Sequence, residues 1–414
     1  MLLYEFGVWD FQTNETFKFY LYIVLYQIAL FFGYFSGINQ KTNKIKTYKF
    51  LRVSRLNILF IINLFMLLLN VLRMSGSSAF SIPYLINKFI TGIANPSSGY
   101  YEKFLVNQSN VFLGSIGTAI LSVWGLFSFA VIPLGFYYFK NLKRLGKGLF
   151  YSNILLAICS SIVIGTNKRI FDTVLAFVTY LLINKIRSNK KDTSKPKGFY
   201  LKIFIIFLVF INVFDFFIGS RAFGTYWDQS FYKLGGLVAV NNNSILFKIF
   251  PSSYHGLLAS ICTYLCQGYF GFSLTIGMSS SLMRGLGSSL YIVDRLDLNY
   301  LTLQYKAESM YGWNSRVQWA SIYSWIANDV GHIGVIFVMF LIGYLFARLY
   351  KECVETPTPV SYVLMNFMVI TLFFIPCNFQ VLQDLTSIVG LIFFMLLWLL
   401  SHILSRQGRL NSGE

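Results

Sequence analysis

Asp329, His332 and His255 are the residues of this chain whose types suit proton transfer, and Arg221, Arg284 and Arg316 are those that suit holding an anion. Asp329 and His332 lie in WASIYSWIANDVGHIGVIFVMFLIG (319–343), which begins with these polar groups and ends as a plain apolar helix. Ionisable groups where a bilayer starts are costly and commonly mark a pathway or a reaction centre. Three residues apart on a helix, the two would share a face, with Trp325 one turn earlier. The competing reading is an interfacial helix end, with Asp placed for dipole reasons and the aromatics in the belt. His255 stands beside Gly256 at the head of a moderately apolar run and reads equally as a satisfied interfacial residue.

The arginines occur in IGSRAFGTYWDQ, SSSLMRGLGSS and YGWNSRVQWASIYSW. Guanidinium binds phosphate through two parallel hydrogen bonds, and glycine lets backbone N–H groups approach the same oxygens. Snorkelling to lipid head groups, or pairing with Asp228, Asp294 or Asp297, is the alternative for each. Trp313, Trp319 and Tyr323 belong to a dense aromatic set that suits stacking on sugar rings or anchoring in the membrane belt. No D-x-D pair in this region, Walker motif, HExxH or G-x-S-x-G is present, so neither a metal nor another cofactor is expected.

The elements that must position these residues are membrane helices. The chain is 56% apolar, 19% aromatic and 12% charged, with a mean hydropathy of +0.59, outside the range of soluble domains. About 18 apolar residues cross ~30 Å of hydrocarbon. Nine runs qualify, at 19–37, 56–72, 111–137, 149–165, 170–186, 203–219, 331–349, 360–377 and 385–404. The count rises towards eleven if 253–277 crosses and a segment such as 282–303 returns. The fold class is therefore all-α and polytopic, in three parts: an N-terminal bundle (1–219), one large outer loop (220–330), and C-terminal spans with a tail (331–414). Within the loop, 253–277 is interrupted at Gln267 and Gly268 and reads as a re-entrant or interfacial helix, tolerated where it lines a protein cavity.

Basic loops fix the orientation. Residues 41–55 carry six Lys or Arg, 140–147 four and 185–202 seven, which places these loops in the cytoplasm, the N-terminus outside and the C-terminus inside. The net charge of +18 is thereby mostly topology and not a nucleic-acid footprint. Five scattered cysteines suggest no disulfide framework, and the first apolar run reads as an uncleaved anchor.

The arrangement of many spans with one dominant late outer loop resembles the Wzy-type O-antigen polymerases. The local resemblance rests on YLCQGYFGFSL (264–274), the glycine-rich stretch after it, and the D-V-G-x-x-G of 329–334 leading into a span. It implies a bacterial inner-membrane enzyme that polymerises undecaprenyl-diphosphate-linked oligosaccharide repeat units at the periplasmic face. No cofactor is implied, and a chain-length-determining co-polymerase is an expected partner. In that setting Arg221, Arg284 and Arg316 are expected to hold the diphosphate. Asp329, with His255 or His332 as alternatives, is expected to act as base, and Trp313, Trp319 and Tyr323 to contact sugar. An O-antigen ligase shares the architecture and the donor; a flippase or other transporter fits less well, because no internal repeat is seen and few polar groups lie within the spans.

Overall fold

The computed structural model describes residues 1–41, 53–74, 81–95, 114–166, 168–189 and 233–410, with a few isolated positions between 198 and 212. Every named element among them is a helix. In chain order they are α1 (Leu2–Phe6), α2 (Thr16–Asn39), α3 (Val53–Met74), α4 (Ile82–Ala94), α5 (Gly114–Tyr138), α6 (Arg144–Val163) and α7 (Lys168–Asn189). After a gap follow α8 (Ile245–Ile249), α9 (His255–Thr275), α10 (Leu290–Arg295), α11 (Leu303–Tyr311), α12 (Ile322–Glu355), α13 (Pro359–Phe373) and α14 (Leu385–Leu410).

Among the described residues, seven stretches are long and apolar enough to cross a membrane: Thr16–Asn39, Arg55–Leu72, Ser122–Asn141, Arg144–Val163, Ser252–Thr275, Ile322–Glu355 and Leu385–Ser405. Six of them coincide with expected spans. The expected span 170–186 lies in α7, whose Arg169, Asp172, Lys185 and Arg187 keep it out of this set. The one at 360–377 is the shorter helix α13, and 203–219 lies outside the described residues. The seventh, at 253–277, departs from the expectation of a helix broken at Gln267 and Gly268, because α9 is continuous through both. Gly268 serves close packing instead: a Cβ there would lie 2.2 Å from the Cys377 carbonyl oxygen and 2.3 Å from that of Pro376. Two-thirds of the α9 window is buried (67%), against 28–44% for the other six, so α9 is enclosed by protein on most of its surface.

The chain divides into two compact units that interleave in sequence. One comprises Met1–Gln40, Ala222–Arg348 and Ile370–Asp384; the other Lys41–Arg221, Leu349–Val369 and Leu385–Glu414.

In the first unit, α2 and the part of α12 after residue 331 pack through small residues. A Cβ on Gly33 would sit 2.0 Å from the Phe340 carbonyl oxygen, one on Gly343 2.0 Å from that of Leu30, and one on Gly37 2.6 Å from that of Tyr344. Gly33 and Gly37 form a small-xxx-small pair on α2, matched by Gly343 and Ala347 on α12, the pattern that lets backbones approach in membranes. The pairings 33 with 340 and 37 with 344 ascend together, so these helices run parallel.

The residues before α2 fold onto α9 in the same unit. Trp9 Nε1 donates to the Ala259 carbonyl at 3.1 Å and to Thr263 Oγ1 at 2.8 Å, while Asp10 N–H donates to Ala239 and Asn241 N–H to Val8. Tyr4 stacks on Phe11 with ring centroids 4.8 Å apart, and burial pushes its phenol up to about 12.

In the second unit an amide clasp joins three helices. Trp124 of α5 donates to Asn63 Oδ1 of α3 at 2.8 Å, and Asn63 Nδ2 donates to Asn153 Oδ1 of α6 at 2.7 Å. Asn153 Nδ2 completes the set on the Phe60 and Leu149 carbonyls. Buried Glu352 accepts from Trp398 Nε1 at 2.8 Å and from Thr358 Oγ1 at 3.0 Å, pinning α12 to α14.

Candidate functional site

The site residues gather around a break in α12. Gly331 has φ +70° and ψ +166°, so 322–330 and 332–355 are two helices meeting at a corner. Only glycine adopts that conformation without steric cost. The break ends the first helix just after Asn328 and Asp329 and leaves its last carbonyls without intrahelical donors.

The glycine–serine loop 279–289 supplies those donors. Ser280 Oγ donates to the carbonyls of Ala327 (2.5 Å) and Asn328 (3.1 Å), Met283 N–H to Asn328 (2.8 Å) and Arg284 N–H to Asp329 (3.4 Å). In return, Asp329 Oδ1 accepts from the N–H groups of Gly285 and Gly287, both at 2.7 Å, and Oδ2 accepts from the Ser288 hydroxyl. Leu282 (φ +51°), Arg284 (φ +53°) and Gly285 (φ +100°) are thereby held in the left-handed region. For the two non-glycine residues this costs roughly 1–2 kcal/mol each, which the anchoring bonds must offset.

This geometry revises the expected roles. Asp329 is 7% exposed with both carboxylate oxygens engaged by the loop, so it acts as the loop's anchor and not as a free base. The break at Gly331 also separates it from His332, and the two do not share a helix face. His332 begins the next helix: its Nε2 donates to the Thr275 carbonyl at 3.1 Å, and its ring packs on Tyr22 and Phe272. His255 caps a local turn, with Nε2 donating to the Phe250 carbonyl at 3.1 Å and its ring 4.3 Å from Phe247.

Of the arginines, Arg316 is paired. Its guanidinium binds Asp294 through two nitrogens at 2.5 and 3.2 Å and also donates to Asn299 Oδ1 at 3.0 Å. Arg284 is exposed at the crest of the glycine loop and, among the described residues, is engaged in no ion pair or side-chain hydrogen bond. Arg221 lies outside the described residues. Among the aromatics, Trp313 (1% exposed) packs edge-on to Phe270 and donates to the Trp319 carbonyl, and Tyr323 (0%) accepts from Gln27 Nε2. Buried this way, neither presents a face to a sugar. Trp319 is half-buried, edge-on to Tyr264 and Phe374.

A cleft of about 300 Å³, counting its open mouth, lies beside this framework. α10, α11 and the start of α12 wall it, and Gln304, Tyr305, Glu308, Arg316 and Trp325 line it. Sequence reasoning singled out Arg316, Tyr305 within the dense aromatic set and Trp325 one turn from Asp329, but not Gln304 or Glu308, because Gln and Glu at these positions form no spaced motif. Among the described residues, no cluster of His, Cys, Asp and Glu could hold a metal ion. Compared with protein-family models, curated proteins and solved structures, the chain matches none.

Proposed function

We propose that this protein polymerises undecaprenyl-diphosphate-linked oligosaccharide repeat units at the periplasmic face of a bacterial inner membrane. The observation that carries the reading is Arg284: an exposed guanidinium, without an ion pair or side-chain hydrogen bond among the described residues, on a glycine loop anchored where an apolar helix begins. Non-helical backbone at such a place is tolerated where it lines a protein cavity, and a free guanidinium there meets a lipid-linked diphosphate at head-group level.

The transfer breaks the bond between the sugar C1 and the diphosphate oxygen, and the lipid diphosphate leaves with the electron pair. A hydroxyl of a second lipid-linked unit forms the new C1–O bond and gives up its proton to a base. The donor already carries the driving energy, so the protein supplies positioning and charge stabilisation as the diphosphate departs. Arg284 takes that second role, while Asp329 holds the loop that presents it.

The test is the lipopolysaccharide of cells lacking the gene, with and without a plasmid copy. Collapse of the ladder to core plus a single repeat unit, restored by the plasmid but not by the Arg284→Ala form at equal protein level, is expected. An unchanged ladder refutes the reading, and bare core turns it to ligation or flipping.

A further inference from the structure

We infer, independently of the polymerase reading, that α4 lies in the plane of the membrane, with Ile82, Ile86, Ile90 and Ile93 inserted among lipid acyl chains and its amide and hydroxyl side chains in water.

α4 is bounded at both ends. Ser81 Oγ accepts from Tyr84 N–H at 3.4 Å, a proline stands in the first turn, and Asn95 N–H closes the last turn on the Thr91 carbonyl at 2.7 Å. Its 13 residues rise about 20 Å, too little to cross ~30 Å of hydrocarbon.

Three faces of the helix differ in kind. Leu85, Phe89 and Gly92 share one face, and it packs on protein. Leu85 and Phe89 cover Val71 of α3 and Val163 and Ile164 at the end of α6. Gly92 admits the α6 backbone so closely that a Cβ there would lie 2.6 Å from the Ile162 carbonyl oxygen. Beside that face, Ile82, Ile86, Ile90 and Ile93 fall within an arc of about 80°. They are 41–59% exposed, a row of large aliphatic side chains that is costly in water and stable in hydrocarbon. The remaining arc carries exposed Asn87, Thr91 and Asn95, with the Lys88 ammonium over the Tyr84 ring.

The depth of α4 is set by what it packs on. Val71 and Val163 belong to the last turns of the membrane-spanning stretches Arg55–Leu72 and Arg144–Val163. Those stretches expose apolar side chains along their length, Ile58, Ile61 and Phe65 on one and Leu155 on the other. Hydrocarbon that covers them reaches the ends against which α4 is seated. A helix placed there, with one apolar arc on protein, a second open and a polar arc opposite, fits the boundary between hydrocarbon and water.

Charge and side-chain size select the occupant of the isoleucine arc. α4 carries one Lys and no Asp or Glu, so insertion of the isoleucines holds it and zwitterionic lipid suffices. A second protein helix in the membrane would call for small residues or polar groups on the contact face, and the isoleucine arc has neither.

The experiment labels full-length Ile86→Cys and Ile90→Cys with bimane in detergent and reconstitutes them into phosphatidylcholine vesicles. Asn87→Cys and Thr91→Cys are the polar-arc counterparts, and Leu155→Cys is the reference on a spanning helix. Wild type, with its own five cysteines, supplies the blank. With phosphatidylcholine brominated on its acyl chains, bimane at positions 86 and 90 is expected to be quenched within about twofold of Leu155→Cys and at least about threefold more than at 87 and 91. The same contrast is expected when about a third of the lipid is phosphatidylglycerol. Equal quenching of the two arcs, quenching at 86 and 90 by aqueous iodide instead, or a requirement for phosphatidylglycerol overturns the inference. Bimane at 86 and 90 shielded from both bromine and iodide overturns it as well, and oxidative crosslinking of Ile86→Cys between two molecules would then assign the face to a second copy of this chain.

Discussion

Replacing Asp329 separates an anchor from a base. In the wild type the carboxylate accepts two backbone N–H groups on one oxygen and the Ser288 hydroxyl on the other. Asp329→Asn can keep Oδ1 on both N–H groups and turn its NH₂ towards Ser288 Oγ, whose own proton then points to the Trp325 carbonyl 3.4 Å away. What is lost is the charge assistance, about 1–2 kcal/mol. Asp329→Ala removes both acceptor oxygens with their three hydrogen bonds and strands the buried Gly287 N–H, for roughly 3–5 kcal/mol. It also frees Leu282 and Arg284 to leave their left-handed backbone. Unfolding of the purified variants in detergent should therefore rank wild type, Asn and Ala in that order, with a gap of about 2 kcal/mol or more between the last two. In cells, the Asn variant should retain chain growth and the Ala variant lose it together with protein level. An Ala variant as stable as wild type would refute the anchor. An Asn variant with near-native stability and no chain growth would restore Asp329 as the base.

Four further outcomes are expected. Arg284→Gly should stabilise the loop by about 1 kcal/mol, since glycine carries no penalty at φ +53°, while abolishing chain growth; parallel unfolding curves and ladder gels check the opposite signs. By contrast Arg316→Ala, which breaks an exposed pair, should change stability by no more than about 1 kcal/mol. Gly33→Leu or Gly343→Leu should cost more than about 3 kcal/mol, because a Cβ already meets a carbonyl oxygen at 2.0 Å, and should be read as loss of folded protein in a detergent size-exclusion profile. Tyr4 is neutral in both states below pH 10 and ionises first in the unfolded chain, so its contribution to stability falls between pH 10 and about 12. Wild type should accordingly lose up to about 2–3 kcal/mol more than Tyr4→Phe over that range in pH-dependent unfolding.

What the sequence made legible was the membrane class, most of the long helices and the stretch in which the site residues gather. Runs of apolar residues report burial in lipid directly, and α2, α3, α6 and α14 follow from them. The interruption at α12 was also visible in principle: a glycine inside a helical pattern, directly after Asn-Asp, signals a possible end. The apolar periodicity running through Gly331 concealed it and gave Asp329 and His332 a shared face they do not have. The Gly33/Gly37 pair was a readable packing motif as well. Not legible were pairings set by tertiary distance. Asp294 stood among the alternative partners of the arginines, but it lies 22 residues from Arg316, and no spacing rule selects that pair over Asp228 or Asp297. Trp313 and Tyr323 look like interface aromatics by composition, yet they fill the core around α9.

One helical turn joins the small cleft to the loop that carries Arg284. Trp325 and Asp329 are four residues apart on the helix that ends at Val330, so their side chains lie one above the other. Trp325 forms part of the cleft floor, and Asp329 holds the loop that carries Arg284. Between them in sequence, Asn328 orients Gln304 with one hydrogen bond and ties the Gly287 carbonyl with another. A helix continuous through residue 331 would use the carbonyls of Ala327 and Asn328 internally and leave Ser280 and Met283 without acceptors. The loop would then lose its backbone attachment even with Asp329 intact. Gly331 is thus as necessary to the site as any charged residue: it exposes the helix end onto which loop 279–289 is fastened, and it does so where the apolar half of α12 begins.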